Sequence, residues 1–201
     1  MDNNNILPVV LAGGKSKRFG EDKSQVKLGE KILIDYILSE LIDEFKEVLI
    51  VANDPIKHLS SDNIIKIEDV KKNLGPLGGV YTSMRWAKDK NKSYKWIASF
   101  PSDTPFFNKN IFNSFLKKIN EKESELFFMR CNEKRHNIFG LWSIDLIDQL
   151  EKDLETGSRK VENWANKIGV KTINMSFEKE DPFFNINTKE DLKKAEKIIN
   201  D

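Results

Sequence analysis

The sequence lacks the features typical of secreted, membrane-bound and nucleic-acid-binding proteins. It has one cysteine in 201 residues, which excludes an intrachain disulfide, favours a reducing compartment and predicts a cytoplasmic protein. No run approaches the roughly eighteen apolar residues of a membrane helix, and the polar, acidic start has no basic segment ahead of an apolar one. The 33 Lys+Arg and 32 Asp+Glu residues nearly cancel. We therefore expect neither a membrane nor a nucleic-acid partner.

The sequence also lacks the spacings typical of zinc sites and hydrolase triads. Its two histidines, His58 and His136, lie far apart, and no cysteine or carboxylate stands at ligand spacing from them. No Ser/His/Asp or Cys/His arrangement stands out either. Cys131 follows the apolar run at 127–129, which indicates a buried thiol rather than a reactive one.

Apolar runs alternate with amphipathic stretches along the first half of the chain. Strands are predicted at residues 6–12, 47–52, 64–67 and 95–100, and helices at 32–45, 80–88 and 108–120. This alternation predicts βαβ units, with a parallel sheet covered on both faces. The second half is less regular. It predicts strands at 125–129, 137–142 and 170–177, helices at 143–154 and 158–167, and a last helix that a capping box opens at Thr188 and Asp191.

A glycine-rich and cation-rich loop follows the first strand, with the sequence LAGGKSKRFGEDK at residues 11–23. Gly13 and Gly14 allow a sharp turn and a close approach of backbone N–H groups to an anion. Four cations follow, Lys15, Lys17, Arg18 and Lys23. A P-loop would need a glycine where the chain has Val9, and the G-x-G-x-x-G pattern is not met. The loop is typical of a phosphate site of another kind, and a solvated turn is the alternative.

Polar residues follow the other predicted strands as well. Asp103 lies between two prolines just after the fourth strand, where a carboxylate and substrate phosphates could hold Mg²⁺. A helix cap or an Asx-turn is the alternative for this residue. Asn53 and Asp69 follow the second and third strands, where they could reach the same cleft or serve as turn residues. Ligands bind beyond the carboxyl ends of strands in such sheets, so we expect one shared cleft.

Three further segments are candidates for ligand contacts. The glycines of GPLGG at residues 75–79 precede a predicted helix, whose N-terminus could attract an anion. Asn185 and Asn187 alternate on one face of a short extended segment, and Arg159 with Lys160 opens a predicted helix. Flexible turns and solvated surface cations are the alternatives for these segments.

Together these motifs resemble the MobA-like nucleotidyltransferase family. The opening loop matches the pattern L-A-G-G-x-S-x-R-M-G-x-D-K at every fixed position except Phe19, where methionine is usual. The segments at 75–79, 101–105 (PSDTP) and 184–188 (FNINT) follow in order and spacing. The resemblance covers nearly the whole chain. It implies a three-layer α/β/α Rossmann-like fold, whose mostly parallel sheet has an antiparallel C-terminal part. It also implies one domain, 1–201, with a nucleotide-binding half at about 1–107 and an acceptor-binding half at about 108–201.

The resemblance implies transfer of GMP from GTP to the phosphate of Mo-molybdopterin, with release of pyrophosphate and Mg²⁺ as the cofactor. Molybdenum cofactor maturation proteins and molybdoenzyme chaperones are the partner proteins it suggests. The implied catalytic residues are Lys23, Arg18 and Asp103, and Asp103 holds the metal. The implied GTP contacts are Leu11, Ala12, Gly13, Lys23, Asn53, Asp69 and Asp103. The implied molybdopterin contacts are Gly75, Gly79, Arg159, Asn185 and Asn187.

Related activities remain as alternatives. They are a molybdopterin cytidylyltransferase, a transferase for a sugar or alcohol phosphate, and a nucleotide-binding module without catalysis. Gly13 favours guanylyl transfer, because the cytidylyl branch usually reads L-A-A-G. An inactive module predicts erosion of the metal carboxylate or the loop cations, yet Asp103, Arg18 and Lys23 are all present.

Overall fold

The computed structural model describes residues 2–12, 26–53, 55–57, 60–70, 73–177 and 181–200. The strands are β1 (Ile6–Leu11), β2 (Lys27–Leu28), β3 (Lys31–Ile32), β4 (Val48–Val51), β5 (Ile64–Ile67), β6 (Trp96–Pro101), β7 (Leu126–Cys131), β8 (Lys134–Ser143) and β9 (Lys171–Asn174). The α-helices are α1 (Leu33–Leu41), α2 (Pro76–Asp89), α3 (Lys109–Lys117), α4 (Ile147–Glu155), α5 (Val161–Ile168) and α6 (Lys189–Asn200).

Seven strands form one sheet in the order β5-β4-β1-β6-β8-β7-β9. The strands β5, β4, β1 and β6 are parallel neighbours, which confirms the βαβ prediction. β8 runs antiparallel to both β6 and β7, and β9 is parallel to β7. The sheet is therefore mostly parallel with an antiparallel C-terminal part, as expected. The carboxyl ends of β1, β4, β5, β6 and β7 lie along the same edge.

Two apolar clusters cover the two faces of the sheet and make the fold three-layered. One contains residues of α1 and α3, such as Ile37 and Phe115, and the other contains residues of α2, α4 and α5, such as Leu77 and Trp164. Residues 6–10 are buried throughout, because a central parallel strand packs helices on both faces. Within the described ranges, no helix is long and apolar enough to span a bilayer.

Several predicted boundaries were wrong. α2 begins at Pro76 rather than near residue 80, because Gly75 adopts φ +66° as its N-cap and a proline suits the first turn. α5 begins at Val161, so Arg159 lies in the preceding loop rather than in the helix. The hairpin of β2 and β3 was not predicted, and its two-residue strands are too short to show any periodicity.

Candidate nucleotide-binding site

Backbone hydrogen bonds hold the ends of three parallel strands together at the carboxyl edge. The Ala12 N–H donates to the Val51 carbonyl at 3.0 Å, and the Ala52 N–H donates to the Ile67 carbonyl at 3.0 Å. These bonds continue the parallel ladders past the last paired residues. The loops after β1, β4 and β5 therefore start side by side, as the sequence predicts.

Asp69 joins the loops after β4 and β5 to helix α2. Its carboxylate accepts hydrogen bonds from Asn53 Nδ2 and from Thr82 Oγ1, each at 3.2 Å. Thr82 Oγ1 also accepts the Val70 N–H at 3.1 Å. Burial raises the pKa of Asp69, and the hydrogen bonds from Thr82 and Asn53 lower it in part. Asn53 Oδ1 is buried and accepts no hydrogen bond from the described residues, so it is suited to a ligand N–H.

Gly79 allows the first turn of α2 to approach the end of β1. A Cβ at this position would lie 2.8 Å from Leu11 Cδ2 and 3.8 Å from Asp69 Oδ1. The structure thus brings Gly79 beside two residues predicted to contact GTP. Thr82 was not singled out from the sequence, although its spacing of three from Gly79 places both on one face of α2.

Asp103 and the two asparagines meet on the other side of β1. The main-chain oxygen of half-buried Asp103 accepts the Ile186 N–H at 3.0 Å. Ile186 is fully buried, whereas Asn185 and Asn187 on either side of it are exposed. This alternation places both amides on the side of the segment that faces away from the core, and the backbone between them is bonded to Asp103.

The predicted capping box fixes the end of this segment. The Asn187 and Thr188 N–H groups donate to the Asp191 carboxylate at 3.1 and 3.0 Å. The Asp191 N–H donates back to Thr188 Oγ1 at 3.1 Å. These reciprocal bonds confirm the sequence prediction and tie Asn187 to the start of α6.

Arg159 lies in the loop between α4 and α5, with its carbonyl near the start of α2. Its Nη1 donates to the carbonyls of Leu154 and Ser158 at 2.8 and 2.7 Å, so it closes the end of α4 instead of opening α5. The Arg159 carbonyl lies 3.8 Å from the position of a Cβ at Gly75. The structure therefore brings together Arg159 and Gly75, both implied on the molybdopterin side.

A buried carboxylate fixes this loop, and no pattern in the sequence indicates it. Asp153 accepts hydrogen bonds from Trp164 Nε1 at 2.9 Å and Lys167 Nζ at 2.6 Å. Its main-chain oxygen accepts the Ser158 N–H at 2.8 Å. Burial raises the pKa of Asp153, but the bonds from Lys167 and its other donors outweigh this and lower it overall.

The predicted residues Gly13, Arg18 and Lys23 lie outside the residues that the structure describes. The described part of the chain contains no group of three or more His, Cys, Asp or Glu side chains that could hold a metal ion. Mg²⁺ needs only one or two protein carboxylates when phosphates and waters complete its octahedron. The single carboxylate of Asp103 therefore suits a metal ion whose other ligands would be nucleotide phosphates and waters.

The parallel half of the sheet and the polar groups at its carboxyl edge are typical of α/β proteins that bind a ligand beyond the ends of their strands. Residues 8–168 match the MobA-like NTP transferase domain, and the chain belongs to that family of nucleotidyltransferases.

Individual relatives agree with this assignment over most of their length. The chain is 32% identical over 193 residues to the molybdenum cofactor guanylyltransferase of Haemophilus influenzae strain KW20, covering 94% of this chain and 97% of the relative. A solved structure from Aquifex aeolicus VF5 superposes with a TM-score of 0.73 at 27% identity, covering 92% and 94% of the two chains. The molybdopterin-guanine dinucleotide biosynthesis protein A from Archaeoglobus fulgidus shares the fold, with a TM-score of 0.73 at 21% identity and coverage of 96% and 98%.

Proposed function

We propose that the chain is a molybdenum cofactor guanylyltransferase, which transfers GMP from GTP to Mo-molybdopterin and releases pyrophosphate. Relatives of that name match nearly its whole length. The observation that carries the proposal is the arrangement of polar groups on both sides of β1. Asn53, Asp69 and Thr82 form one bonded group beyond β4 and β5, and Asp103 follows β6 on the other side.

The first of these groups is suited to a guanine base. Guanine presents N–H donors at N1 and at its exocyclic amine, and both need acceptors when the base is bound. Asn53 Oδ1 is a buried acceptor with no bond from the described residues, and the Asp69 carboxylate lies next to it. We assign base recognition to this pair, together with the backbone at Leu11, Ala12 and Gly13.

The second group is suited to phosphates. We assign Mg²⁺ to Asp103, where the bound ion would neutralise negative charge that develops on the reacting phosphate. Arg18 and Lys23 are proposed to supply further positive charge toward the triphosphate. A phosphate monoester is largely ionised at neutral pH, so the acceptor needs no general base. The task of the protein is then to position two anions in line.

The acceptor is proposed to bind on the flanks of this cleft. Asn185 and Asn187 lie beside Asp103, and Arg159 lies beside Gly75 at the start of α2. The halves about 1–107 and 108–201 would then bind nucleotide and acceptor, respectively. We propose that the reaction takes place in the cytoplasm, which fits one buried, unbridged cysteine. Maturation proteins and molybdoenzyme chaperones are the proposed partners that supply or receive the pterin.

The test is an assay of pyrophosphate release with purified Mo-molybdopterin and either GTP or CTP. We expect a preference for GTP, and Asp103→Asn should lower kcat by about 100-fold or more because a preorganised charged group is lost. Asp148→Asn is the matched control, since the Asp148 side chain is 90% exposed on α4. Full activity of Asp103→Asn would remove the metal assignment, and a preference for CTP would overturn guanylyl transfer.

A further inference from the structure

Two arginines outside the proposed site stand directly opposite each other on neighbouring strands. Arg130 of β7 and Arg135 of β8 are register partners in the antiparallel pair. Like charges at directly opposed positions destabilise such a pair. The two facing guanidinium groups therefore repel each other, and an anion bound between or beside them would remove this repulsion.

The guanidinium of Arg135 is fixed by uncharged groups. Its Nε donates to Asn137 Oδ1 at 2.7 Å, and its Nη1 donates to Asn166 Oδ1 of α5 at 2.8 Å. It also lies 5.9 Å from the ring centroid of Phe128. The Arg135 side chain is only 19% exposed, whereas its ion-pair partner Glu162, at 3.9 Å from Nη2, is 68% exposed. The cation is thus held in place while the carboxylate beside it has room to move.

Arg130 contributes a guanidinium that donates one hydrogen bond among the described residues. Its Nε donates to the Glu133 carbonyl at 3.2 Å, across the turn of the β7–β8 hairpin. Among the residues that the structure describes, no carboxylate lies within 4.0 Å of this guanidinium. Within the described ranges, neither of its terminal nitrogens donates a hydrogen bond to another residue.

Both arginines line an open surface cavity of about 500 Å³ between α5 and the strands β7, β8 and β9. Asn166 and Thr172 add an amide and a hydroxyl, and Glu133 and Glu162 add two carboxylates. Phe128 and Ser99 share Gly140 as a register partner, and Arg130 and Pro101 each lie at or next to the carboxyl end of their strand. With β8 between them, the two strands are roughly 10 Å apart. The cavity therefore begins at the same sheet edge as Asp103, two strands away.

We propose that Arg130 and Arg135 form a binding site for the phosphate group of a small molecule. Guanidinium groups bind phosphate oxygens through paired N–H donors, and a fixed guanidinium loses little freedom on binding. The carboxylates of Glu133 and Glu162 suit N–H donors elsewhere on the same ligand. The phosphate belongs either to the pterin acceptor or to a separate phosphorylated molecule, and the second experiment distinguishes these two sources.

The first experiment titrates inorganic phosphate into the protein and follows the arginine Nε–H signals by NMR. We expect saturable shifts at Arg130 and Arg135, and an affinity about tenfold weaker in Arg130→Gln and Arg135→Gln, because each loses a charge-assisted bond. Arg85→Gln is the matched control, since Arg85 forms an exposed i,i+4 pair with Asp89. A parallel titration with chloride at equal ionic strength measures how much of each shift is caused by ionic screening.

The proposal is overturned if Arg130 and Arg135 shift no more than Arg85, if chloride reproduces the shifts, or if both glutamine variants bind phosphate as the wild type does. Arg135→Gln also removes the bond to Asn166, so its thermal unfolding is measured alongside. If Arg135→Gln unfolds, the comparison rests on Arg130→Gln alone. The Arg130 side chain donates only to the hairpin carbonyl among the described residues, so this variant is expected to fold.

The second experiment measures KM for both substrates in the variants and identifies the source of the phosphate. This arm rests on the proposed function, whereas the NMR arm does not, so the two can fail separately. A raised KM for the pterin acceptor at an unchanged KM for GTP supports the site and identifies the acceptor. If the variants lose phosphate binding while both KM values stay unchanged, the site is supported and the phosphate belongs to a separate ligand.

Discussion

At the scale of single residues, Gly79 sets the distance between α2 and the end of β1. In Gly79→Ala the new methyl group would lie 2.8 Å from Leu11 Cδ2, so the Leu11 side chain must move. Leu11 is a proposed GTP contact, and the methyl group would meet the far end of its half-buried side chain, so the shift costs the fold little but displaces that contact. We expect KM for GTP to rise about tenfold, with a smaller change in KM for the acceptor, in steady-state kinetics.

A double variant separates this clash from a general loss of packing. If Leu11 transmits the effect, Gly79→Ala combined with Leu11→Ala should bind GTP no more weakly than Leu11→Ala alone. Titration calorimetry with GTP measures both. An unchanged GTP affinity in Gly79→Ala would show that the end of β1 has room for the methyl group and that Gly79 has no part in shaping the site.

Residue positions were predictable where they depend on strand ends alone. Asn53 and Asp69 were expected to share a cleft, because the carboxyl ends of parallel strands lie along one edge, and the structure bonds them to each other. Asp153 was not predictable, because its partners Trp164 and Lys167 belong to the next helix and no short-range pattern links them. Its importance follows from packing that the linear sequence does not display.

At the scale of elements, a stack between His136 and Phe183 joins β8 to the segment that carries Asn185 and Asn187. The ring centroids are 4.0 Å apart, with an interplanar angle of 24°. Burial lowers the pKa of His136 to about 4, while Asp181 raises it and Lys134 lowers it further. The stack therefore holds a neutral imidazole at neutral pH.

The lowered pKa makes the stability of the fold depend on pH in a defined window. An unfolded histidine titrates near 6.5, so the unfolded state binds more protons between about pH 6.5 and pH 4. The stabilisation is complete above pH 6.5 and is lost as the pH falls toward 4, by on the order of 2–3 kcal/mol. Urea unfolding at pH 7, 5.5 and 4.5 measures this loss.

His136→Phe is the matched variant, because it keeps an aromatic ring against Phe183 but cannot titrate. Its free energy of unfolding should fall less than that of the wild type between pH 7 and pH 4.5. Parallel pH profiles for the two proteins would show that His136 is not the group responsible.

Element boundaries were predictable where a local signal ends the element. The capping box at Thr188 and Asp191 was found as predicted. The start of α5 was predicted three residues too early, at 158 instead of 161, because Arg159 bonds to the carbonyl of Leu154 in the preceding helix. Such a bond to another element competes with helix formation, and periodicity does not reveal it.

At the scale of the whole molecule, the parallel half of the sheet was predictable and the position of β8 was not. Buried apolar runs alternating with helices indicate βαβ units. The insertion of β8 between β6 and β7 depends on long-range contacts, such as the 2.7 Å bond from Trp142 Nε1 to Ser99 Oγ. A sequence pattern identifies strands, but the choice of neighbours is made by side chains that meet only after folding.

Gly140 provides a test of that choice, because it lies where β8 crosses the centre of the sheet. A Cβ at Gly140 would overlap the Phe128 ring and lie 2.7 Å from the Phe127 carbonyl oxygen. The Phe128 ring also packs edge-on against Trp142, at 5.0 Å between centroids, so it has little room to move.

We expect Gly140→Ala to lower the free energy of unfolding by about 3 kcal/mol, measured by urea unfolding followed by tryptophan fluorescence. Gly157→Ala is the comparison variant, since its Cβ would meet no atom within 4 Å and only its φ of +99° adds strain, of about 1–3 kcal/mol. Wild-type stability of Gly140→Ala would mean that β8 can shift against β7, and that packing at Gly140 does not fix the order of the sheet.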